Sequence, residues 1–220
     1  MTLTPEQIQD NWKEFLKNME TYITGNRKNQ LLDFYKKYED RVALMPAANM
    51  VKYHSCFAGG YCFHVNKVVK ACLYLHKLWG VMGASQESYT LEELIFSAIN
   101  HDLGKAGDLY NEAYLPSADK WRIENLGELY THNTKLQFMS IPDRSLFLLQ
   151  QAEIGISQNE WIGIKVHDGL YDAANEAYFK PFTPEARFRT VMPHILHQAD
   201  MLASVIEFEQ QYQTDKKLIK

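Results

Sequence analysis

TLEELIFSAINHDLGK, residues 90–105, contains the strongest indications of how this chain folds. Thr90 followed three residues later by Glu93 is a capping box, which is typical of a helix start. The apolar residues that follow recur at helical spacing, so we expect a buried helix that ends at His101 and Asp102. An adjacent His and Asp at the end of an apolar helix can bind one divalent cation together.

The residues after this His-Asp pair suggest a kind of substrate as well as a metal. Gly104 is expected to stop the helix, because glycine is common just beyond a helix C-terminus. Lys105 then supplies a compact cation that can hold a phosphate oxygen as negative charge builds on it. The dipeptide by itself is weak evidence, since a second pair occurs at His167-Asp168. We interpret Asp168 as a loop carboxylate and leave it out of the metal set.

The composition is that of an ordinary globular protein. A length of 220 residues, 46% hydrophobic and 23% charged, suits one domain or one domain with an extension. The net charge of −4 gives no broad basic surface for duplex nucleic acid. Three cysteines without a CxxC pair indicate neither a disulfide framework nor a zinc ribbon. We expect a cytoplasmic protein with no signal peptide, no membrane contact and no long duplex partner.

Helix signals dominate the rest of the chain and predict an all-α fold. Two helices form an expected N-terminal extension over residues 1–44, and a helical domain follows over residues 45–212, with a tail over 213–220. The expected helices lie at about 5–23, 27–42, 61–79, 91–102, 124–138, 143–154, 158–166 and 190–212, with irregular loops at 107–122 and 169–183. No convincing alternation of apolar and polar residues indicates a strand.

Several residues of this predicted bundle are potential metal ligands. Four of them could share one ion: His64, His101, Asp102 and Asp200. This mixed imidazole and carboxylate set suits Mn, Fe, Co, Ni or Zn. His132 and His167 could supply a second ion, with Asp102 bridging through its two oxygens. Such a pair of ions can clamp the attacking and leaving oxygens of a phosphoryl transfer.

Each candidate also has a structural alternative. His64 lies between apolar residues and could be a hydrogen-bonded core histidine. Asp200 lies on an apolar helix, where an unpaired carboxylate is costly to bury, so a cation partner is the economical interpretation. His197, one turn earlier, is better placed to support a ligand than to be one. His76 and His194 are interpreted as structural or solvated.

The order of these residues resembles the HD superfamily of metal-dependent phosphohydrolases. The matching pattern is His64 on one helix, His101-Asp102 closing the next, and Asp200 on the last. The element His-Asp-Leu-Gly-Lys is close to the common form in that family, and the resemblance covers roughly residues 45–210. It implies one helical HD domain built around a metal site, with Asp102 and Lys105 as catalytic residues.

The same resemblance bears on the number of ions. In dinuclear members of the superfamily, two more histidines fall between the His-Asp pair and the final Asp. His132 and His167 look like those two. The implied cofactor is therefore one or two divalent transition-metal ions.

A finer resemblance lies upstream of His64. Residues 45–48 (Met-Pro-Ala-Ala), then His54, then Gly59-Gly60 before His64, are similar to an element in the HD domains of some bacterial 3′–5′ exoribonucleases. It implies that His54 contacts the substrate or supports a ligand. The nucleic-acid-binding β-barrel of those enzymes is missing from this chain, and a long RNA substrate is therefore not implied.

Three functions are consistent with these residues. The leading one is hydrolysis of a phosphate ester or phosphodiester of a nucleotide or short oligonucleotide by a metal-activated water. The second is the mixed-valent di-iron oxygenase chemistry of a minority of the superfamily, which uses the same six ligands. The third is a catalytically inactive HD domain that serves as a binding module. The sequence leaves a homo-oligomer open.

Overall fold

The computed structural model describes residues 2–218, with side chains described as far as Gln211. Within that range the chain is mostly helical, in agreement with the predicted all-α class. Its α-helices are α1 (Pro5–Tyr22), α2 (Gly25–Lys37), α3 (Glu39–Val42), α4 (Gly60–Val81), α5 (Leu91–Asn100), α6 (Lys120–Leu126), α7 (Ile141–Gln151), α8 (Gln158–Val166), α9 (Glu176–Phe179) and α10 (Met192–Leu218).

Local capping chemistry explains where the predicted helices start. At α5 the Thr90 hydroxyl accepts from the Glu93 amide at 3.1 Å, and the Glu93 carboxylate accepts from the Thr90 amide at 2.8 Å. At α1, Thr4 forms the same reciprocal box with Gln7. Both starts satisfy amides that would otherwise lack partners in the first turn.

Helix α4 is the centre of the bundle and packs against α1, α5 and α10. Its apolar residues are buried on several sides, among them Val65, Val68, Val69 and Cys72. A helix that is apolar around most of its circumference has to be covered by several neighbours. The arrangement therefore brings residues of the surrounding helices towards the N-terminal half of α4.

The N-terminal helices belong to the same core. Trp12, Phe15 and Met19 of α1 are buried. The Phe15 ring lies edge-on to Tyr35 of α2 at 4.8 Å between centroids and to Tyr61 of α4 at 6.0 Å. Aromatic pairs of this geometry add to the stability that burial provides. The expected extension is thus packed into the bundle in this structure.

The predicted helix over 124–138 is wrong. Helix α6 ends at Gly127, which takes a left-handed conformation with φ of 63°. The chain then forms a small antiparallel sheet in which β1 (Tyr114–Pro116) pairs with β2 (Tyr130–His132). Strands of three residues are too short to show a period-two pattern, so the sequence analysis did not detect them.

The turn after α5 is held by close packing against α7. Helix α5 ends at Asn100, and a 3-10 turn follows over 103–106. A Cβ atom on Gly104 would collide with the carbonyl oxygen of Ile141, and the Gly104 amide donates to Ser145 Oγ at 2.8 Å. Gly104 was expected to stop the helix, but it is required here because two backbones approach each other closely.

The last helix is longer than predicted. Helix α10 starts two residues later than expected and continues through Leu218, so it includes most of the expected tail at 213–220. Residues 219 and 220 lie outside the described range. None of the described helices combines the length and apolar character that a membrane span requires.

Candidate metal centre

Five of the predicted ligands converge in the middle of the bundle. His64 comes from the first turns of α4, His101 and Asp102 from the end of α5, and His167 from the end of α8. Asp200 comes from the third turn of α10. The three histidines and Asp102 are buried, and the Asp200 side chain is 17% exposed. The cluster therefore opens to solvent on the Asp200 side.

The first half of the cluster, formed by His64, His101 and the carboxylates that face them, has the spacing of a metal site. His64 Nε2 lies 3.1 Å from Asp200 Oδ1 and 3.7 Å from Asp102 Oδ2. His101 Nε2 lies 3.5 Å from Asp102 Oδ2 and 3.9 Å from Asp200 Oδ1. His64, His101 and Asp200 form one group in which the ligand atoms are within 4.8 Å of one another, and Asp102 joins His101 and His167 in a second such group. Both groups combine imidazole nitrogens with a carboxylate, the mixed donor set that divalent transition metals accept.

The backbone determines which nitrogen two of these histidines present. His101 Nδ1 lies 2.8 Å from the carbonyl oxygen of Ala98, and His167 Nδ1 lies 2.8 Å from that of Ile164. Each Nδ1 therefore carries the proton and donates it to the carbonyl three residues earlier. The Nε2 lone pair is left pointing into the cluster, as in many metal-binding histidines.

Two buried nitrogen atoms in the cluster have no hydrogen-bond partner among the described residues. They are Nε2 of His64 and Nε2 of His101. Burying a polar atom without a partner is costly, so such atoms in a native fold call for an explanation. Both point at the carboxylates of Asp102 and Asp200 without the alignment of a hydrogen bond. The residues present therefore fit a divalent cation.

Asp102 faces two sides of the cluster. Its Oδ2 atom is nearest His64 and His101, whereas its Oδ1 atom lies 3.7 Å from His167 Nε2. Asp168 Oδ1 lies at the same distance from that nitrogen, and His167, Asp168 and Asp200 form a group in which the ligand atoms are within 4.8 Å of one another. Asp168 was left out of the predicted metal set, but the structure places it beside His167. These two residues form the second half of the cluster.

His132 is not brought to this cluster. It lies on β2, where its side chain is exposed and its ring packs against Tyr114 at 5.2 Å between centroids. It belongs to none of the potential metal-binding groups of the described residues. The predicted helix over 124–138 included His132, but the residue lies on an exposed strand position instead. The structure thus does not support its predicted role as a ligand.

Lys105 is paired with the carboxylate of Asp102. Its Nζ atom donates to Asp102 Oδ2 at 2.5 Å, and its side chain is only 13% exposed. Burial alone would lower the pKa of Lys105, but the charge of Asp102 outweighs it and raises the pKa. Lys105 is therefore a cation held at the edge of the cluster.

His54 lies directly beside His64, a candidate metal ligand. Its ring is 4.4 Å from the ring of His64, and its Nε2 atom is buried without a hydrogen-bond partner in the described part of the chain. Burial, followed by the charges of His64 and Lys105, lowers the pKa of His54 to about 3. As a neutral imidazole, it can meet a substrate only as a donor or acceptor and not as a phosphate-binding cation.

Glu207 contacts a candidate metal ligand and was not predicted from the sequence. Its buried carboxylate lies 3.2 Å from His64 Nδ1 and accepts from Ser55 Oγ at 2.7 Å. Burial alone would lower the pKa of His64, but the carboxylates of Glu207 and Asp200 raise it to about 10. The spacing could have revealed it, because Asp200 and Glu207 are seven residues apart and so lie on one face of α10.

His197 supports the cluster from the same helix, as expected. Its Nδ1 atom lies 2.8 Å from the carbonyl oxygen of His167. Its ring also occupies the space that a Cβ atom on Gly169 would need. His197 therefore holds the turn that follows His167 and is not itself among the potential ligands.

We expect Glu207→Gln to weaken binding of Mn²⁺ by about 10–100-fold, the usual cost of removing a hydrogen-bond partner of a metal-binding histidine. The amide can no longer hold the Nδ1 proton of His64 through a charge-assisted bond. Isothermal titration of the purified protein with Mn²⁺ measures the effect. Glu20→Gln, at an exposed position of α1, is the matched control. Equal affinities in the two variants would contradict a positioning role for Glu207.

Comparisons of this chain with protein-family models, with curated proteins and with solved structures find no match.

Proposed function

We propose that this chain is a metal-dependent phosphohydrolase of the HD type, acting on a phosphate ester or phosphodiester of a nucleotide or short oligonucleotide. One observation carries the proposal: two buried, unpartnered imidazole nitrogens lie within 4.8 Å of an Asp200 oxygen, and a lysine ammonium contacts the neighbouring carboxylate of Asp102. Phosphoryl transfer needs this combination of charges.

The donor set suits Mn, Fe, Co, Ni or Zn. His64, His101 and Asp200 would hold one ion, and a second could be held by His167 with Asp102 and His101, or with Asp168 and Asp200. When bound, such an ion supplies positive charge that polarises the phosphoryl group and acidifies water at neutral pH.

The chain's own residues perform the remaining tasks. The backbone carbonyl oxygens of Ala98 and Ile164 accept hydrogen bonds from Nδ1 of His101 and His167, respectively. These bonds keep both Nε2 lone pairs directed inward. Lys105 stays protonated and can transfer one hydrogen bond from Asp102 to a phosphoryl oxygen. The low dielectric of the buried cluster strengthens these interactions in the transition state, where negative charge on phosphorus is greatest.

The proposed reaction consumes one water for each ester bond. The water oxygen forms a bond to phosphorus, the bond between phosphorus and the ester oxygen breaks, and the departing oxygen takes a proton from water or a nearby group. The products are an alcohol and a phosphate with one more ionisable oxygen. No redox step or further reactant is required.

The di-iron oxygenase alternative receives less support than hydrolysis. Its resemblance depends on six ligands, and one of them, His132, is exposed on β2. The further residue that joins His167 is Asp168, a carboxylate and not an imidazole. An inactive binding module is also disfavoured, because the five remaining ligands are assembled together with Lys105.

Purified protein supplied in turn with Mn, Co, Ni and Mg is expected to release phosphate from nucleotides or new termini from short oligonucleotides. Phosphate release and chromatography of the products measure the two outcomes. Activity with Mn, Co or Ni well above that with Mg is expected from the imidazole ligands. Iron binding with O₂-dependent turnover, and no hydrolysis under any metal, would contradict the proposal.

A further inference from the structure

A cavity of about 190 Å³ is lined in part by Lys105, and none of the candidate metal ligands borders it. Two distant parts of the chain form its walls. Leu44, Met45 and Pro46 come from the segment after α3, and Tyr114 and Tyr130 come from the paired strands β1 and β2. Lys105 lines this cavity and also contacts Asp102, so it links the cavity to the cluster.

This position suits the organic part of a phosphorylated substrate. A phosphate held by Lys105 has its ester group free to extend either to solvent or into the cavity. Tyr114 is close enough to Lys105 for their charges to influence each other's pKa. The cavity is smaller than the roughly 300–1,000 Å³ of sites for drug-sized ligands, so it suits one planar ring system and not a whole nucleotide.

The chemistry of the walls favours a ring over a second phosphate. Arg41 also borders the cavity, but its guanidinium lies against the carbonyl oxygens of Ala106 and Asp108 and is not free to bind an anion. Asp40 and Glu112 add negative charge to the same walls. Tyrosine rings and apolar side chains offer faces on which a heterocycle can stack.

We propose that this cavity binds the base of a nucleotide whose phosphate contacts Lys105. The inference rests on the proposed function and specifies its substrate class: a nucleoside phosphate recognised by its base as well as by its phosphate. The segment that follows the N-terminal helices thereby becomes part of the substrate site, which makes these helices necessary for recognition.

Leu44→Trp tests the proposal by filling the cavity. Leu44 is 54% exposed, so the larger ring can be accommodated without repacking the core. Leu78→Trp on α4 is the matched control, since Leu78 is 52% exposed and lines none of the cavities described. Isothermal titration of the Mn²⁺-supplied proteins compares the four common ribonucleoside 5′-monophosphates with ribose 5-phosphate, which has no base.

For the wild type and Leu78→Trp, at least one nucleotide is expected to bind about tenfold or more tightly than ribose 5-phosphate. This ratio corresponds to a stacked base, for which the contribution is about 1–3 kcal/mol. In Leu44→Trp the ratio should fall towards one. Circular dichroism of both variants confirms that they are folded.

Two results would overturn this inference while leaving the proposed function intact. One is equal binding of nucleotides and ribose 5-phosphate by the wild type, together with phosphate release. The other is a preference for nucleotides that survives in Leu44→Trp, because the base would then lie elsewhere. If the wild type neither binds nor hydrolyses any of these phosphates, both the inference and the proposed function fail.

Discussion

Asp102→Asn is expected to abolish stoichiometric metal binding and to reduce phosphate release by about 1,000-fold or more. The carboxylate of Asp102 faces both halves of the cluster, with Oδ2 towards His64 and His101 and Oδ1 towards His167. It also holds Lys105. Loss of metal charge stabilisation of several kcal/mol corresponds to about three orders of magnitude in rate.

Metal content of the purified variant and its turnover under the best metal provide the measurements. Asp168→Asn is the matched comparison, because it alters the other His-Asp pair of the chain. Asp168 is partly exposed and contacts only the second half of the cluster, so a smaller loss is expected. Circular dichroism should show that both variants remain helical. Turnover by Asp102→Asn at the wild-type rate would refute the proposed centre.

The largest effect on stability is expected from Arg27→Ala. Arg27 on α2 donates to both carboxylate oxygens of Glu160 at 2.7 and 2.8 Å and to Glu92 at 2.5 Å, and its guanidinium lies 4.4 Å from the centre of the Phe96 ring. Glu160 is completely buried, and burial raises its pKa despite the neighbouring arginine. Removing the cation leaves a buried carboxylate without its partner.

Breaking a buried ion pair from one side typically costs about 3–5 kcal/mol, and the partial exposure of Arg27 favours the lower end of that range. Urea unfolding of the metal-free protein measures the loss. Lys13→Ala is the control, since Lys13 and Asp10 form an exposed pair with nitrogen and oxygen 3.7 Å apart and are expected to contribute less than about 0.5 kcal/mol.

A second variant separates the charge from other effects of the arginine. Adding Glu160→Gln to Arg27→Ala removes the buried charge, so part of the lost stability should return. If Arg27→Ala unfolds at the same urea concentration as the wild type, α2 is not held to α5 and α8 by this contact.

Residues close together in the sequence were the ones predicted best. The capping box of Thr90 and Glu93 and the helix it starts were predicted because their hydrogen bonds span three or four residues. The same locality explains why the helix at 158–166 agrees with α8. The error at 124–138 arose where a left-handed Gly127 and long-range strand pairing outweighed local helix preference.

The candidate site divides in the same way. The sequence by itself determined that His64, His101, Asp102 and Asp200 were proposed together, because their residue types, their places on predicted helices and their order resemble the HD superfamily. Only the tertiary structure decided that Glu207 holds His64 and that His132 lies outside the cluster. Distances between side chains on different helices depend on how the whole core packs, and no local pattern encodes that packing.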